Sequence, residues 1–237
     1  MKLRYLICLM SVVAGFSACS NDDTPNDIQN TEEALVNLTF ASQMQADINS
    51  AARESRFTFS SGSISIEDLI FRISNGEQTY EVDVLQGSDS LFSVDLLTGI
   101  PNYILDYFEI PTGEFHQIEI ELITGGEESV ITGVFVDDAG EEYPIEVVLP
   151  EGEPIVLRSD GDFLFLESRS VEAAVVLNPR SWVSRLSSSI LERLETNEDG
   201  VIVISETMNS QIFYIILESL KESSEVEVKS EVPTPES

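Results

Sequence analysis

The sequence predicts a mainly β protein, an antiparallel β-sandwich followed by a C-terminal pair of amphipathic helices. Three observations lead to this prediction. Apolar residues alternate with polar ones at period two from Leu35 to Leu177. The spacing of apolar residues becomes helical after Pro179. A composition that is 42% hydrophobic and 23% charged is typical of a folded globular chain.

The predicted strands are short segments separated by turn-forming residues. Around His116, the apolar Ile118 and Ile120 alternate with Glu119 and Glu121, which gives one apolar and one acidic face. Such a pattern is typical of an antiparallel sheet packed on one side, and it places His116 on the apolar side. Turn signals such as Ser61-Gly62, Asn75-Gly76 and Asp160-Gly161 recur at about the spacing of a β-sandwich. The sandwich is therefore predicted over residues 35–178.

The C-terminal part is predicted to be helical and then disordered. Apolar residues beginning at Trp182 follow a helical period, and a second helix is predicted from Ser205, which could cap it. These two helices form a predicted hairpin over residues 179–221, packed on the sandwich. The polar, proline-containing residues 222–237 are predicted to be a disordered tail.

The N-terminal segment has the pattern of a signal peptide. Two basic residues, Lys2 and Arg4, precede an apolar run from Tyr5 to Phe16. This run is shorter than the roughly 20 apolar residues that a bilayer-spanning helix needs, so it is predicted to be the hydrophobic region of a signal peptide spanning residues 1–18.

The segment Phe16-Ser17-Ala18-Cys19 resembles the lipobox of bacterial lipoproteins, with Phe16 standing where leucine is usual. The resemblance implies that Cys19 is the lipid attachment site and the first residue of the mature chain. Acyl chains such as palmitate would then anchor the protein to a membrane. The alternative is an ordinary signal peptide followed by a chance cysteine.

Residues 19–34 are acidic and polar and are interrupted by Pro25, which predicts a flexible tether. Their start resembles the acidic signal that sends lipoproteins of one Gram-negative phylum to the outer face of the outer membrane. The predicted location is therefore the cell envelope, at the outer membrane and surface-exposed.

Charge and composition exclude several functions. The chain has 12 Lys and Arg residues against 43 Asp and Glu residues, a net charge of −31, which repels nucleic-acid phosphates. One His and two Cys residues exclude His-rich zinc sites, disulfide scaffolds and Cys/His nucleophile systems. Neither a nucleophile elbow nor a P-loop is found, so no catalytic residue is predicted.

A candidate calcium loop lies between the two predicted helices, at residues 195–206. Counted as an EF-hand loop, it has an invariant-type glycine, Gly200, at the sixth position. The candidate metal ligands are Glu195, Asn197, Asp199, Val201 and Glu206. Glu195 replaces the usual leading Asp, and Val203 offers no side-chain oxygen at the ninth position. The alternative is a turn followed by a short strand and a helix cap at Ser205.

Other candidate site residues also have purely structural interpretations. The acidic segments at 137–142 and 160–162 could hold a hard cation or could be solvated hairpin tips. His116 could be a general base or a satisfied core or edge residue. The aromatic residues Trp182, Tyr103, Tyr107 and Phe108 could stack on sugars or could belong to the core.

Three segments, Phe59–Leu69, Val94–Gly99 and Ile110–Ile118, resemble an uncharacterised bacterial domain family. The shared features are a D-L-L-x-G strand followed by P-x-G-x-[FY]-x-x-I. The family contains secreted or lipid-anchored β-sandwich proteins of unknown function. The resemblance implies an envelope β-sandwich over Leu35–Leu177 and brings no catalytic residues.

The predicted function is a lipid-anchored envelope protein with a non-catalytic binding, adhesion or scaffolding role. Its expected partners are the membrane, through the acyl chains, and an envelope protein or polysaccharide. Two alternatives are left open: a calcium-dependent surface module using residues 195–206, and an envelope hydrolase acting on polysaccharide.

Overall fold

The structure is a computed structural model, and it confirms that the chain is mainly β. It describes residues 32–43, 57–86, 91–125, 129–137, 139–167, 169–184, 186, 188–191 and 193–229. The predicted signal peptide, Cys19 and all but the end of the predicted tether lie outside these residues. The first strand begins at Glu33, inside the predicted tether.

The described residues form twelve strands and three helices. The strands are β1 (Glu33–Ser42), β2 (Phe57–Ser74), β3 (Thr79–Asp83), β4 (Phe92–Asp95), β5 (Phe108–Pro111), β6 (Gly113–Thr124), β7 (Val130–Val136), β8 (Glu142–Val148), β9 (Pro154–Phe165), β10 (Ser170–Leu177), β11 (Ile202–Ile204) and β12 (Glu225–Lys229). The helices are α1 (Pro179–Val183), α2 (Ser188–Leu191) and α3 (Ser210–Ser223).

The larger sheet is built around the long strand β2. One edge of β2 pairs first with β7 and then, further along, with β6. Its other edge pairs with β4 and then with β3. Strands β8 and β9 repeat this arrangement on the far side of β7 and β6. Strand β2 therefore has two antiparallel strands end to end along each edge, and β11 completes the sheet beside β8.

Backbone and hydroxyl groups satisfy the buried hydrogen-bonding groups at the junction where β2 passes from pairing with β7 to pairing with β6. Gly125 N–H donates to the carbonyl of Ser65 at 3.0 Å, and Ser65 N–H donates to Ser129 Oγ at 2.9 Å. The hydroxyl of Thr124 donates to the carbonyl of Pro150. These bonds replace ladder hydrogen bonds that the interruption removes, so the break leaves these buried backbone groups paired.

Two predicted turns are wrong, because both lie inside strands. Gly62 is within β2, where an added Cβ would lie 3.2 Å from Leu96 Cβ. Gly161 is within β9, at a β-bulge where Gly161 and Asp162 are opposed by His116 alone. A glycine inside a strand marks close approach or a bulge as readily as a turn, and that explains both errors.

The second sheet has the strand order β12-β10-β1-β5. Its β1 and β10 are parallel, as are β8 and β11 in the larger sheet, so the pairing is not antiparallel throughout as predicted. The prediction of a disordered tail from residue 222 is also wrong as far as residue 229. Strand β12 pairs with β10 because Val226 and Val228 alternate with Glu225 and Glu227, and Val226 is buried.

One apolar core is shared by the two sheets and the helices. Strand β12 lies beside β9, and β5 lies beside β3, so the edges of the two sheets approach each other on both sides. The largest fully buried side chains are Trp182, Phe71, Phe92, Phe165, Phe213, Ile64, Ile66, Leu69, Ile73, Leu96, Ile110 and Ile118.

The predicted helix pair is only partly present. The first predicted helix is divided into the short helices α1 and α2, and β11 separates them from α3. Helix α3 begins at Ser210 and not at Ser205, because Ser205 Oγ accepts a hydrogen bond from Met208 N–H and closes a turn instead. Asn209 then adopts a left-handed conformation with φ of 56°, and the helix follows it.

Candidate functional site

A row of alternating charges crosses four strands on the solvent-facing side of the larger sheet. The residues of this charged ladder are directly opposed in register: Glu81 of β3, Arg72 of β2, Glu119 of β6 and Arg158 of β9. Their side chains lie on this face because Phe71, Ile73, Ile118 and Ile120 point into the core between them. Strand periodicity therefore brings two of the chain's few cations together.

Short ion pairs connect the charged ladder. Arg72 Nε lies 2.7 Å from Glu81 Oε2, and Arg72 Nη1 lies 2.9 Å from Glu119 Oε1. Arg72 Nη1 also pairs with Glu121, two residues along β6. Arg158 Nε lies 2.7 Å from the second oxygen of Glu119. Arg72 is thus held by three carboxylates, and its position is determined by the register of three strands.

The charged ladder alters the pKa of its half-buried members. Burial alone would raise the pKa of Glu119, but the hydrogen bonds from Arg158 and Arg72 outweigh it and lower the pKa below its ordinary value. Hydrogen bonds to Glu121 and Glu81 raise the pKa of Arg72. Glu119 is therefore an ionised acceptor at neutral pH and is poorly suited to donate a proton as a general acid.

A shallow cleft of about 210 Å³ lies against the charged ladder. Its lining residues are Arg72, Ile73, Ser74, Thr79, Gln117 and Glu119. Ser74, Thr79 and Gln117 are opposed to one another in the next row of the sheet, and Gln117 Nε2 donates to Asp160 Oδ1 at 2.9 Å. Hydroxyl, amide and guanidinium groups therefore meet in one recess on rigid strands.

His116 does not belong to the core, contrary to the predicted alternation. The register of β6 against β9 shifts between Phe115 and Gln117, at a β-bulge in β9, and there Phe115 lies in the core while His116 lies in solvent. His116 Nδ1 lies 3.2 Å from Asp162 Oδ1, and both side chains are exposed. An exposed pair of this kind contributes little to stability and has no cleft in which to act as a catalytic base.

The candidate calcium loop is closed by hydrogen bonds between the Asn197 side chain and the backbone of the loop. Asn197 Oδ1 accepts hydrogen bonds from Asp199 N–H at 3.0 Å and from Val201 N–H at 2.9 Å. Glu195 is held instead by Asn209, whose Oδ1 accepts from Glu195 N–H at 3.1 Å. Glu206 lies in the turn before α3, and not in an exiting helix as in an EF-hand.

The local structure is therefore the alternative stated above, a turn followed by the strand β11, although Ser205 does not cap α3. In the part of the chain that the structure describes, no three His, Cys, Asp or Glu side chains are grouped so that they could hold a metal ion.

Addition of calcium is expected to leave the thermal unfolding temperature unchanged. Asn197 already uses its side-chain oxygen within the turn, so binding would have to break two hydrogen bonds. Calorimetry with about millimolar calcium, the range of weak extracellular sites, tests this expectation. A rise in the melting temperature that Asp199→Asn abolishes would contradict it.

The other acidic candidates are structural in their described residues. Asp137 Oδ1 accepts from Glu141 N–H and from Ala139 N–H, both at 2.8 Å, at the tip of the β7–β8 hairpin. The hydrogen bond from Glu141 N–H lowers the pKa of Asp137. Asp160 and Asp162 face Gln117 and His116. Asp137, Asp160 and Asp162 thus each have a local protein partner.

The aromatic candidates separate into core and surface residues. Trp182 is fully buried and cannot stack on a ligand. Tyr103 packs on Phe92 with ring centroids 5.1 Å apart, and Phe108 packs on Phe71 at the same distance. Tyr107 is exposed. The aromatic residues therefore do not form a stacking platform together.

Sequence reasoning missed Arg72 and the cleft beside it. The acidic face of β6 was visible in the alternation of Glu119 and Glu121, but the partner strand was not. Because the predicted turn at Ser61-Gly62 divided β2, its register against β6 could not be derived. A lone arginine between Phe71 and Ile73 was the available signal, since such a cation on a mostly acidic face needs a partner.

Comparisons with known proteins do not extend these observations. No protein-family model, curated protein or solved structure matches the chain. The resemblance to the uncharacterised bacterial domain family therefore stays a prediction. None of the helices among the described residues has the length and apolar character that crossing a bilayer would require.

Proposed function

We propose that the chain is a lipid-anchored protein of the cell envelope, attached through Cys19 to the outer membrane and exposed at the surface. The basic residues Lys2 and Arg4, the apolar run Tyr5–Phe16 and the lipobox-like residues before Cys19 support this proposal. A diacylglyceryl group on Cys19 provides more than one acyl chain, and two or more chains hold a protein stably on a bilayer.

We further propose that the body is a β-sandwich with a non-catalytic binding role. The two sheets support this arrangement because they share one core and approach each other along both edges. The polar face that carries the charged ladder is the proposed binding surface. Its residues lie on strands and not on loops, which gives a binding surface a fixed geometry.

The proposed ligand is a neutral envelope polysaccharide, and the cleft beside Arg72 carries this proposal. Three carboxylates neutralise Arg72, and the chain's net charge of −31 repels anionic ligands. The hydroxyl groups of Ser74 and Thr79 and the amide of Gln117 can exchange hydrogen bonds with sugar hydroxyls.

Gln117→Ala is expected to weaken binding to a neutral polysaccharide, because it removes both a donor and an acceptor from the cleft. Native gel electrophoresis measures this directly, with mannan, starch or xylan cast separately into the gel. The unchanged protein should be retarded in at least one of these gels, and Gln117→Ala should migrate as it does in a gel without polysaccharide.

Gln211→Ala is the matched control, because Gln211 is exposed on α3. It should be retarded as strongly as the unchanged protein. Equal retardation of the two alanine variants would rule out the cleft as the binding site. If the unchanged protein migrates freely in all three gels, the polysaccharide part of the proposal is wrong.

A further inference from the structure

Exposed apolar side chains are concentrated in one segment, Leu91–Tyr107, which we call the apolar hairpin. Seven large apolar side chains are exposed in the described part of the chain, and four of them belong to this segment. Their exposed fractions are 87% for Ile104, 65% for Ile100, 58% for Tyr107 and 43% for Leu91. Such a concentration on a folded surface marks a site of interaction.

The apolar hairpin is held in place by its own hydrogen bonds. Asn102 Nδ2 donates to the carbonyl of Leu91, and Asn102 Oδ1 accepts from Ser93 N–H, both at 2.9 Å. Asp95 N–H donates to the carbonyl of Ile100 at 2.9 Å. The isoleucine side chains are therefore presented to solvent by an ordered backbone.

Neighbouring residues of the same segment anchor it to the core. Phe92 and Leu105 are buried, and the ring of Tyr103 packs on Phe92. Ser42 Oγ also donates to the carbonyl of Leu96 at 2.7 Å, which connects the segment to the end of β1. Other apolar side chains of the hairpin stay exposed, although Phe92 and Leu105 show that the same segment packs against the core.

We infer that the apolar hairpin rests on the surface of a zwitterionic lipid bilayer. This inference rests on the proposed lipid anchor. Only 13 residues, Cys19 to Thr31, separate the proposed attachment site from the described body. Fully extended, they span at most about 45 Å, so the body stays within that distance of the membrane.

Tethering makes weak contact with the bilayer effective. A short tether gives the hairpin a high effective concentration at the membrane, so few apolar side chains suffice for contact. Isoleucine, leucine and tyrosine are suited to this position, because aliphatic side chains enter the acyl region and tyrosine prefers the interface.

The charges around the apolar hairpin select the kind of lipid. Asp95 and Asp106 are exposed within it, and Glu109 follows it in β5. Together with the net charge of −31, these carboxylates repel anionic headgroups. A zwitterionic phosphatidylcholine surface is therefore the preferred contact, and anionic lipid should weaken it.

Site-specific fluorescence quenching tests the inference in the lipidated, full-length protein. Ile104→Cys is labelled with an environment-sensitive fluorophore, since the thiol of Cys19 would be blocked and Cys8 removed with the signal peptide. The protein is reconstituted into phosphatidylcholine vesicles with and without a lipid that carries a nitroxide quencher. Tyr214→Cys, at a side chain 55% exposed on α3, is the matched control.

The label at position 104 is expected to lose most of its fluorescence in quencher vesicles, and the label at 214 very little. Ile100→Asp in the Ile104→Cys protein should restore much of the lost signal, as should anionic vesicles. Equal, weak quenching at both positions in vesicle-bound protein would overturn the inference, and would leave the hairpin to a protein partner. Failure of the protein to float with the vesicles would instead contradict the lipid anchor.

Discussion

Replacement of Gly99 by alanine is expected to destabilise the protein by about 2–5 kcal/mol. Gly99 has a φ of +73°, a conformation that costs an L-residue about 1–2 kcal/mol. A Cβ at this position would also lie 2.6 Å from the Ser42 backbone nitrogen and 2.8 Å from the Ala41 backbone. These contacts are with the backbone of β1, which cannot move aside as a flexible side chain could.

Gly76→Ala separates the two causes. Gly76 has a φ of +90°, and no atom lies within 4 Å of the position of an added Cβ. This variant should therefore lose only about 1–2 kcal/mol, the conformational cost. Urea denaturation with comparable m-values gives both differences. Equal stability of the two variants would show that the turn at Gly99 does not approach the backbone of β1 this closely.

Replacement of Arg72 by methionine is expected to destabilise the protein by about 1.5–3 kcal/mol at neutral pH, the range for hydrogen bonds to charged groups. Methionine retains an unbranched apolar stem like that of arginine, so the substitution removes mainly the charge and its hydrogen bonds. Three carboxylates, Glu81, Glu119 and Glu121, would then face each other without the cation that pairs them. Their repulsion adds to the lost hydrogen bonds.

The effect of Arg72→Met should depend on pH. The pKa of Glu119 is lowered in the folded protein, so its contribution to stability is complete above its ordinary value of 4.5. That contribution is lost as the pH falls through the lowered pKa. In the variant, the pKa of Glu119 is lowered less, and protonation relieves the repulsion among the carboxylates. The stability difference between Arg72→Met and the unchanged protein should therefore shrink below pH 4.5.

Urea unfolding of both proteins at neutral pH and at acid pH measures this change. Arg193→Met is the control, because Arg193 is exposed and lies outside the charged ladder. It should change stability by less than about 0.5 kcal/mol, as surface substitutions usually do. A constant difference between Arg72→Met and the unchanged protein across this range would argue against a stabilising ladder.

The strand content was predictable because alternation is a local property. Glu119 and Glu121 alternate with Ile118 and Ile120, and this pattern identified β6 and its acidic face. Strand β12 was missed since its short alternation around Val226 lies in a polar segment that ends in prolines. Its pairing with β10 depends on tertiary burial, which composition does not reveal.

The candidate site was not predictable, because it depends on register. Arg72 meets Glu119 only when β2 and β6 pair as they do, and a β-bulge at Glu67 in β2 shifts that pairing. The same kind of shift moved His116 from the predicted core to the surface. A single-residue bulge changes which side chains face the core, and the local sequence pattern did not predict this bulge.

The central claim is the lipid on Cys19, and intact mass analysis of the N-terminal peptide of the membrane-extracted protein tests it most directly. The account predicts a mature chain that begins at Cys19 and carries a diacylglyceryl group on sulfur, and a Cys19→Ser chain without this modification. A mature chain that begins at another residue, or one with a free thiol at Cys19, would contradict the proposal.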